Sequence, residues 1–198
     1  MAYIGNKPAN KAVVASDLDP AVITGQTALA VAPASTDEFL ISDAGTLKRL
    51  DASLIGGDNT PSFFVTLSGD QNISASTWSK ITFDTETWDT DSAFASNKFT
   101  VPSGEGGKYY IAAKIAIENM DDNELSIIGI YKNGSLISTT QFEMRSPGTN
   151  KAMFHVVNTI LDLSASDYLE VYGYQTDSGT NGVLASRSYF GGYKLIGV

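Results

Sequence analysis

Tyr109-Tyr110-Ile111-Ala112-Ala113-Lys114-Ile115-Ala116-Ile117 is the stretch that decides how this chain is read. Positions 109, 111, 113, 115 and 117 are apolar, a period of two that marks an extended strand with a buried face. The opposite face, Tyr110, Ala112, Lys114 and Ala116, is small and only weakly polar. Residues 125–131 repeat the pattern, with Ile128 and Ile130 opposing Leu125, Ile127 and Tyr131. In 153–163, Phe154, Val156 and Ile160 alternate with Met153, Val157, Leu161 and Leu163. An antiparallel sheet that meets water on one side carries polar residues there, so strands apolar on both faces need a second cover. Association with further copies supplies it economically, and Tyr110, Ala112 and Ala116 are expected to face subunit contacts.

Working outward, extended segments are expected at 62–68, 79–84, 98–101, 109–118, 125–132, 136–142, 153–163, 168–175 and 187–197. Lys132-Asn133-Gly134-Ser135 is the clearest turn, because Asn-Gly accepts the positive φ angles of a tight hairpin. No helical periodicity interrupts this region, so it reads as an all-β sandwich or jelly roll. Composition shifts at Gly56-Gly57-Asp58-Asn59-Thr60-Pro61, a run of chain breakers. The expected domains are an N-terminal arm over 1–57, a linker at 58–61 and a head over 62–198. Within the arm, Asp37-Glu-Phe-Leu-Ile-Ser-Asp-Ala-Gly-Thr-Leu-Lys-Arg-Leu50 predicts a short β-hairpin around Asp43-Ala44-Gly45, with Gly45 in the left-handed position. Helical turns are expected at 16–20 and 51–57. Such pieces bury too little surface to order themselves. Tyr3, Ile4, Val13, Val14, Leu18, Phe39, Leu40 and Ile41 are therefore the candidate anchors for docking on something larger.

The 198 residues include 22 acidic and 13 basic side chains, a net charge of −9. That balance excludes a phosphate backbone as the main partner, since nucleic acid is held by lysine and arginine. Zero cysteine removes disulfides, thiol nucleophiles and thiolate metal sites. No apolar run is long enough to span a membrane. The start, Met1-Ala-Tyr-Ile-Gly-Asn-Lys-Pro8, lacks the basic head and apolar stretch of a secretory leader, so release by lysis is expected.

Chemistry is sparse. The single histidine, His155, sits between Phe154 and Val156 without a nucleophile motif, which makes it a packing or interface residue. No catalytic residues and no cofactor are expected, and the chain is not read as an enzyme. Asp121-Asp122-Asn123-Glu124 carries the oxygen ligands calcium favours, though not at EF-hand spacing, and Asp89 and Asp91 form a weaker pair. Trp78, Trp88, Tyr172 and Tyr174 are the aromatics of interest. If Leu169 and Val171 point into a core, Tyr172 and Tyr174 point out, where aromatics serve as platforms for sugars or protein partners or shield the sheet.

Several segments, in order, resemble the globular head of the complement C1q and tumour-necrosis-factor-like group. They are Phe64-Val-Thr-Leu67; Lys80-Ile-Thr-Phe-Asp84; Phe99-Thr-Val-Pro102 with Gly107-Lys-Tyr-Tyr-Ile111; Lys132-Asn-Gly134; Leu163 with Asp167-Tyr-Leu-Glu-Val171; and Ser188-Tyr-Phe-Gly-Gly-Tyr-Lys-Leu-Ile196. Ser166 stands where that group usually has Gly before the Asp, and no Gly-X-Y stalk is present. The resemblance implies a jelly-roll sandwich of two antiparallel sheets and about ten strands, assembled as a homotrimer, which brings Phe190 and Tyr193 of the closing strand into the interface set. The front end, Met1–Asn10 and Thr36–Asp51, resembles the starts and spacers of tailed-bacteriophage fibre and virion-appendage proteins. Together these imply a virion protein with an arm docked on tail or capsid proteins and a head that binds a host surface glycan or protein. Tyr172, Tyr174, Asp121, Asp122 and Glu124 are the host-binding candidates. The alternative is a capsid decoration or cement protein whose trimers stiffen the shell.

Overall fold

The structure is a computed structural model that describes residues 34, 36–44, 46–52, 59–179 and 181–196. The chain divides into two units, Met1–Gly56 and Gly57–Val198. In the first, β1 (Glu38–Asp43) and β2 (Thr46–Asp51) form an antiparallel hairpin in register from Glu38↔Asp51 to Asp43↔Thr46. Ala44 takes the left-handed backbone here, with φ 48°; Gly45, expected in that conformation, lies outside the described residues. Leu40 is 75% exposed and Phe39 41%, so the pair buries little of its own apolar surface. Tyr3, Ile4, Val13, Val14, Leu18 and the turn expected at 16–20 lie outside the described residues. Of the turn expected at 51–57, Asp51 is strand and the residues beyond Ala52 lie outside them too.

The second unit begins with β3 (Ser62–Thr66), β4 (Gln71–Ile73), β5 (Ser79–Lys80), β6 (Thr85–Asp89), β7 (Phe94–Ala95) and β8 (Lys98–Thr100). The long strands β9 (Gly107–Met120) and β10 (Leu125–Lys132) follow, then β11 (Ser135–Leu136), β12 (Phe142–Arg145) and β13 (Lys151–Leu163). β14 (Tyr168–Gln175), β15 (Asn181–Val183) and β16 (Tyr189–Lys194) complete it. Two seven-stranded sheets result. The front sheet runs β4-β15-β9-β16-β3-β6 with β13 on β9; the back sheet runs β11-β10-β14-β8-β7 with β12 on β10 and β5 on β14. This is the jelly-roll sandwich the sequence implied. Several of its strands, β4, β5, β7, β8, β11 and β15, are pieces of two or three residues.

The alternation in 109–117 is realised: Tyr109, Ile111, Ala113, Ile115 and Ile117 are all fully buried between the sheets. Phe63 stacks on Phe99 at 4.4 Å and meets Phe190 edge-on at 4.9 Å, joining the first, middle and last strands in one aromatic core. Each such side chain contributes roughly 1.5–3 kcal/mol of burial. The glycine pair in the closing strand is dictated by close approach. A Cβ on Gly192 would lie 2.7 Å from the Tyr110 carbonyl, and one on Gly191 would lie 3.0 Å from the Phe63 carbonyl.

Turn chemistry behaves as the residues dictate. Asn133 and Gly134 take φ of 52° and 77°, and Lys132 pairs with Ser135 across them. The strand expected over 136–142 is broken, with a 3-10 turn at Ser138–Thr140 between β11 and β12. Thr140 causes the break. Its hydroxyl accepts from the Ile130 amide at 3.0 Å and donates to the Ile137 carbonyl at 2.7 Å, replacing ladder bonds with side-chain ones. Two interface expectations are also corrected. Phe190 points into the core at 1% exposure, and Ala116 is fully buried within the subunit, its amide bound to Ser188 Oγ and its carbonyl to the Leu184 amide.

Candidate functional site

The two outer faces of the sandwich differ in chemistry. On the front sheet, register places Ile160, Tyr110 and Tyr193 in one cross-strand row, and Asn158, Ala112, Gly191, Phe64 and Trp88 in the next. Phe64 lies between Trp88 and Tyr189, stacked on each at 5.0 and 5.3 Å, while Tyr110 and Tyr193 pair at 5.5 Å. Between them lies a groove of about 360 Å³ lined by Phe64, Trp88, Tyr110, Ala112, Gly191 and Tyr193. Trp88 is 50% exposed, Ile160 59% and Val156 47%, so large apolar side chains stand at the surface of this face, with Asn158 and Lys114 among them. Of the expected interface residues, Tyr110, Ala112 and Tyr193 share this face. Phe64, Trp88 and Tyr189 complete it, and the signal for Phe64 and Tyr189 was strand parity.

On the back sheet Leu169, Val171 and Gly173 face the core, and Tyr168, Tyr172 and Tyr174 face outward, as the alternation of β14 predicts. Pairing sets Tyr172 opposite Gly129, Tyr131 opposite Glu170 and Lys80 opposite Tyr172. Trp78 arrives over this surface from the segment before β5, 5.9 Å from Tyr131 and 5.5 Å from Tyr174, while Tyr131 and Tyr172 lie 4.1 Å apart. Partial burial pushes the Tyr131 and Tyr172 phenols up, so both remain hydrogen-bond donors at neutral pH. Sequence reasoning missed the part played by Tyr131, which local pattern shows only as one more apolar residue.

At the end of the sandwich opposite Ser62, residues 121–124, 146–150 and 176–179 meet. The Asp121 amide donates to Asp177 Oδ2 at 2.6 Å, the Asn123 amide to the Ser146 carbonyl at 2.8 Å, and the Thr176 hydroxyl to the Glu124 carboxylate. Donation from the Gly179 and Asp121 amides holds the Asp177 carboxyl below its ordinary range. Asp121, Asp122 and Asn123 are solvent-exposed. Among the described residues no three acidic or histidine side chains converge as a metal site. Glu124 is engaged by Thr176, and Asp89 accepts from the Ala93 and Phe94 amides at 3.0 and 2.8 Å as a turn cap.

His155 is fully buried between the sheets. Its Nε2 lies 3.0 Å from the Ser126 carbonyl, which can only accept, so Nε2 carries the hydrogen and Nδ1 is left bare. Desolvation depresses its pKa; the Ser126 hydroxyl lies 3.1 Å from Nε2, and among the described residues no carboxylate meets Nδ1 as an orienter.

No family model matches the chain, and no curated protein matches its sequence. Its architecture is similar to a solved structure, the globular domain of zebrafish complement 1qA protein. The likeness has a TM-score of 0.50 at 14% identity and covers 69% of this chain and 98% of that one. The class of fold is therefore that of the C1q globular head, an all-β jelly roll. At this identity the likeness is one of fold.

Proposed function

We propose that this protein is a trimeric appendage of a tailed-bacteriophage virion, whose jelly-roll head binds the host surface and whose N-terminal arm docks on the particle. The observation that carries the trimeric binding head is the apolar front face around Tyr110, Ala112, Tyr193, Phe64 and Trp88, which further copies would cover. Self-association there leaves the back sheet and the loops at the far end outward, on rigid elements, where recognition surfaces usually sit. The virion role is supported by the likeness of residues 1–10 and 36–51 to phage appendage segments, and by the exposed Phe39 and Leu40 of the hairpin, which suit docking. Ile41, half-buried on the same strand, belongs to that anchor. No enzymatic step is assigned.

The test is location and copy number in intact particles by cryo-electron microscopy. A few trimers at the tail support host recognition. Hundreds of copies spread over the shell overturn it in favour of a capsid decoration protein, and absence from particles removes the virion role altogether. Multi-angle light scattering tests the assembly separately: a stable monomer at micromolar concentration sinks the trimer.

A further inference from the structure

We propose that the outer face of the back sheet is a saccharide-binding surface, with pyranose rings stacking on Trp78, Tyr131, Tyr172 and Tyr174; this rests on the reading of the head as a host-binding module. The four rings form one connected patch, with centroid separations of 4.1 to 5.9 Å. Trp78 lies over Gly129 beside the tyrosines, where a Cβ would stand 3.4 Å from two indole carbons, an ordinary contact, and 2.7 Å from Leu136 Cδ1.

Fixed polar groups border the rings. Lys80 Nζ donates to Glu170 Oε1 at 2.6 Å and to the Ser96 carbonyl at 3.0 Å, and Lys98 Nζ sits 4.5 Å over the Tyr168 ring. Glu170 is almost buried, with 11% of its side chain exposed, so the pair is held in one geometry. A protein-contact core excludes charge and is filled with aliphatic and aromatic groups, which describes the front-face groove between Phe64, Trp88, Tyr110 and Tyr193. The back face interleaves ring faces with phenol hydroxyls, an ammonium and a carboxylate. That alternation complements a ligand with an apolar C–H face and a rim of hydroxyls, which is a sugar ring. Self-association through the front face leaves this surface free.

The experiment uses the full chain. The protein contains two tryptophans, so 5-fluorotryptophan labelling gives two fluorine resonances, assigned with Trp88→Phe. The trimer is screened on a printed array of bacterial O-chain and capsular polysaccharides, and the oligosaccharide repeat of the strongest binder is titrated. The expected result is a saturable shift of the Trp78 resonance with Trp88 unmoved. Trp78→Ala and Tyr172→Ala should each weaken binding tenfold or more, the size usual for a central contact residue, with oligomeric state unchanged. Tyr172→Phe should retain binding through its ring, which a merely structural loss would not show.

Failure to bind any array glycan overturns the proposal, as does saccharide binding indifferent to Trp78→Ala and Tyr172→Ala. Cell binding abolished by protease treatment of the host overturns it too, by identifying a protein receptor, while the host-binding reading stands. Absence of any cell adsorption sinks that reading itself.

Discussion

His155 is where the interior is most sensitive to pH. Burial lowers its pKa in the folded chain, so below about 6.5 the unfolded chain takes up a proton that the folded chain resists. Stability is therefore complete above that pH and falls as the solution is acidified through it. His155→Gln keeps a donor for the Ser126 carbonyl without a titrating group, and should flatten the urea-midpoint profile below about pH 6.5. A second loss comes lower. Asp167 is held at about 2 by hydrogen bonds from Lys132 and Asn133, so its contribution, present above the ordinary carboxylate range, disappears as pH drops from 3.8 toward 2. Ser166 offers the opposite opportunity. It sits at φ 72°, where a Cβ is strained, and Ser166→Gly should stabilise the head by about 0.5–1 kcal/mol in thermal melts. Sequence legibility at this scale follows parity. Tyr172 and Tyr174 were placed correctly because they oppose Leu169 and Val171. Phe190 was misplaced beside Tyr193, although an odd spacing within one strand puts two residues on opposite faces.

Among the elements, β9 decides most, since its two faces serve two purposes. Tyr109, Ile111 and Ile115 fill the core, while Tyr110 and Ala112 stand in the open groove. Ala112→Asp sets a carboxylate amid Phe64, Gly191 and Tyr193. It should weaken trimer formation by about 3 kcal/mol, read as a shift to monomer in light scattering, while the near-ultraviolet dichroism of the subunit persists. Loss of folded subunit would show instead that Ala112 is part of the core. The 125–132 and 168–175 strands were legible end to end, because alternation and the Asn133-Gly134 turn are local signals. β4 and β15 were not: Ile73 pairs with Asn181 from more than a hundred residues away, and three-residue strands carry no period of their own. The break at Thr140 was hidden for a related reason. A threonine in a run reads as strand, and only the approach of Ile130 turns its hydroxyl into a competitor for the ladder.

For the molecule as a whole, fold could be read further than site. The jelly roll follows from repeated alternation, whereas the Trp78–Tyr131–Tyr172 patch is assembled by contacts between segments roughly 40 to 50 residues apart. Because Phe63, Phe99 and Phe190 give the head a core of its own, deleting residues 1–57 should leave a trimer whose melting temperature moves by only a few degrees. The truncated protein should fail to join particles; normal incorporation would remove the arm from the docking role. The chain enters the sandwich at Ser62, directly into β3, which is flanked by β16 on one side and β6 on the other, antiparallel to both. Antiparallel hydrogen bonds stand perpendicular to their strands. Tension drawn through Ser62 therefore loads the bonds of both ladders together, in shear, and does not peel them apart one at a time. A head tethered by this strand while its far surface grips a cell would resist being torn open until many bonds yield at once.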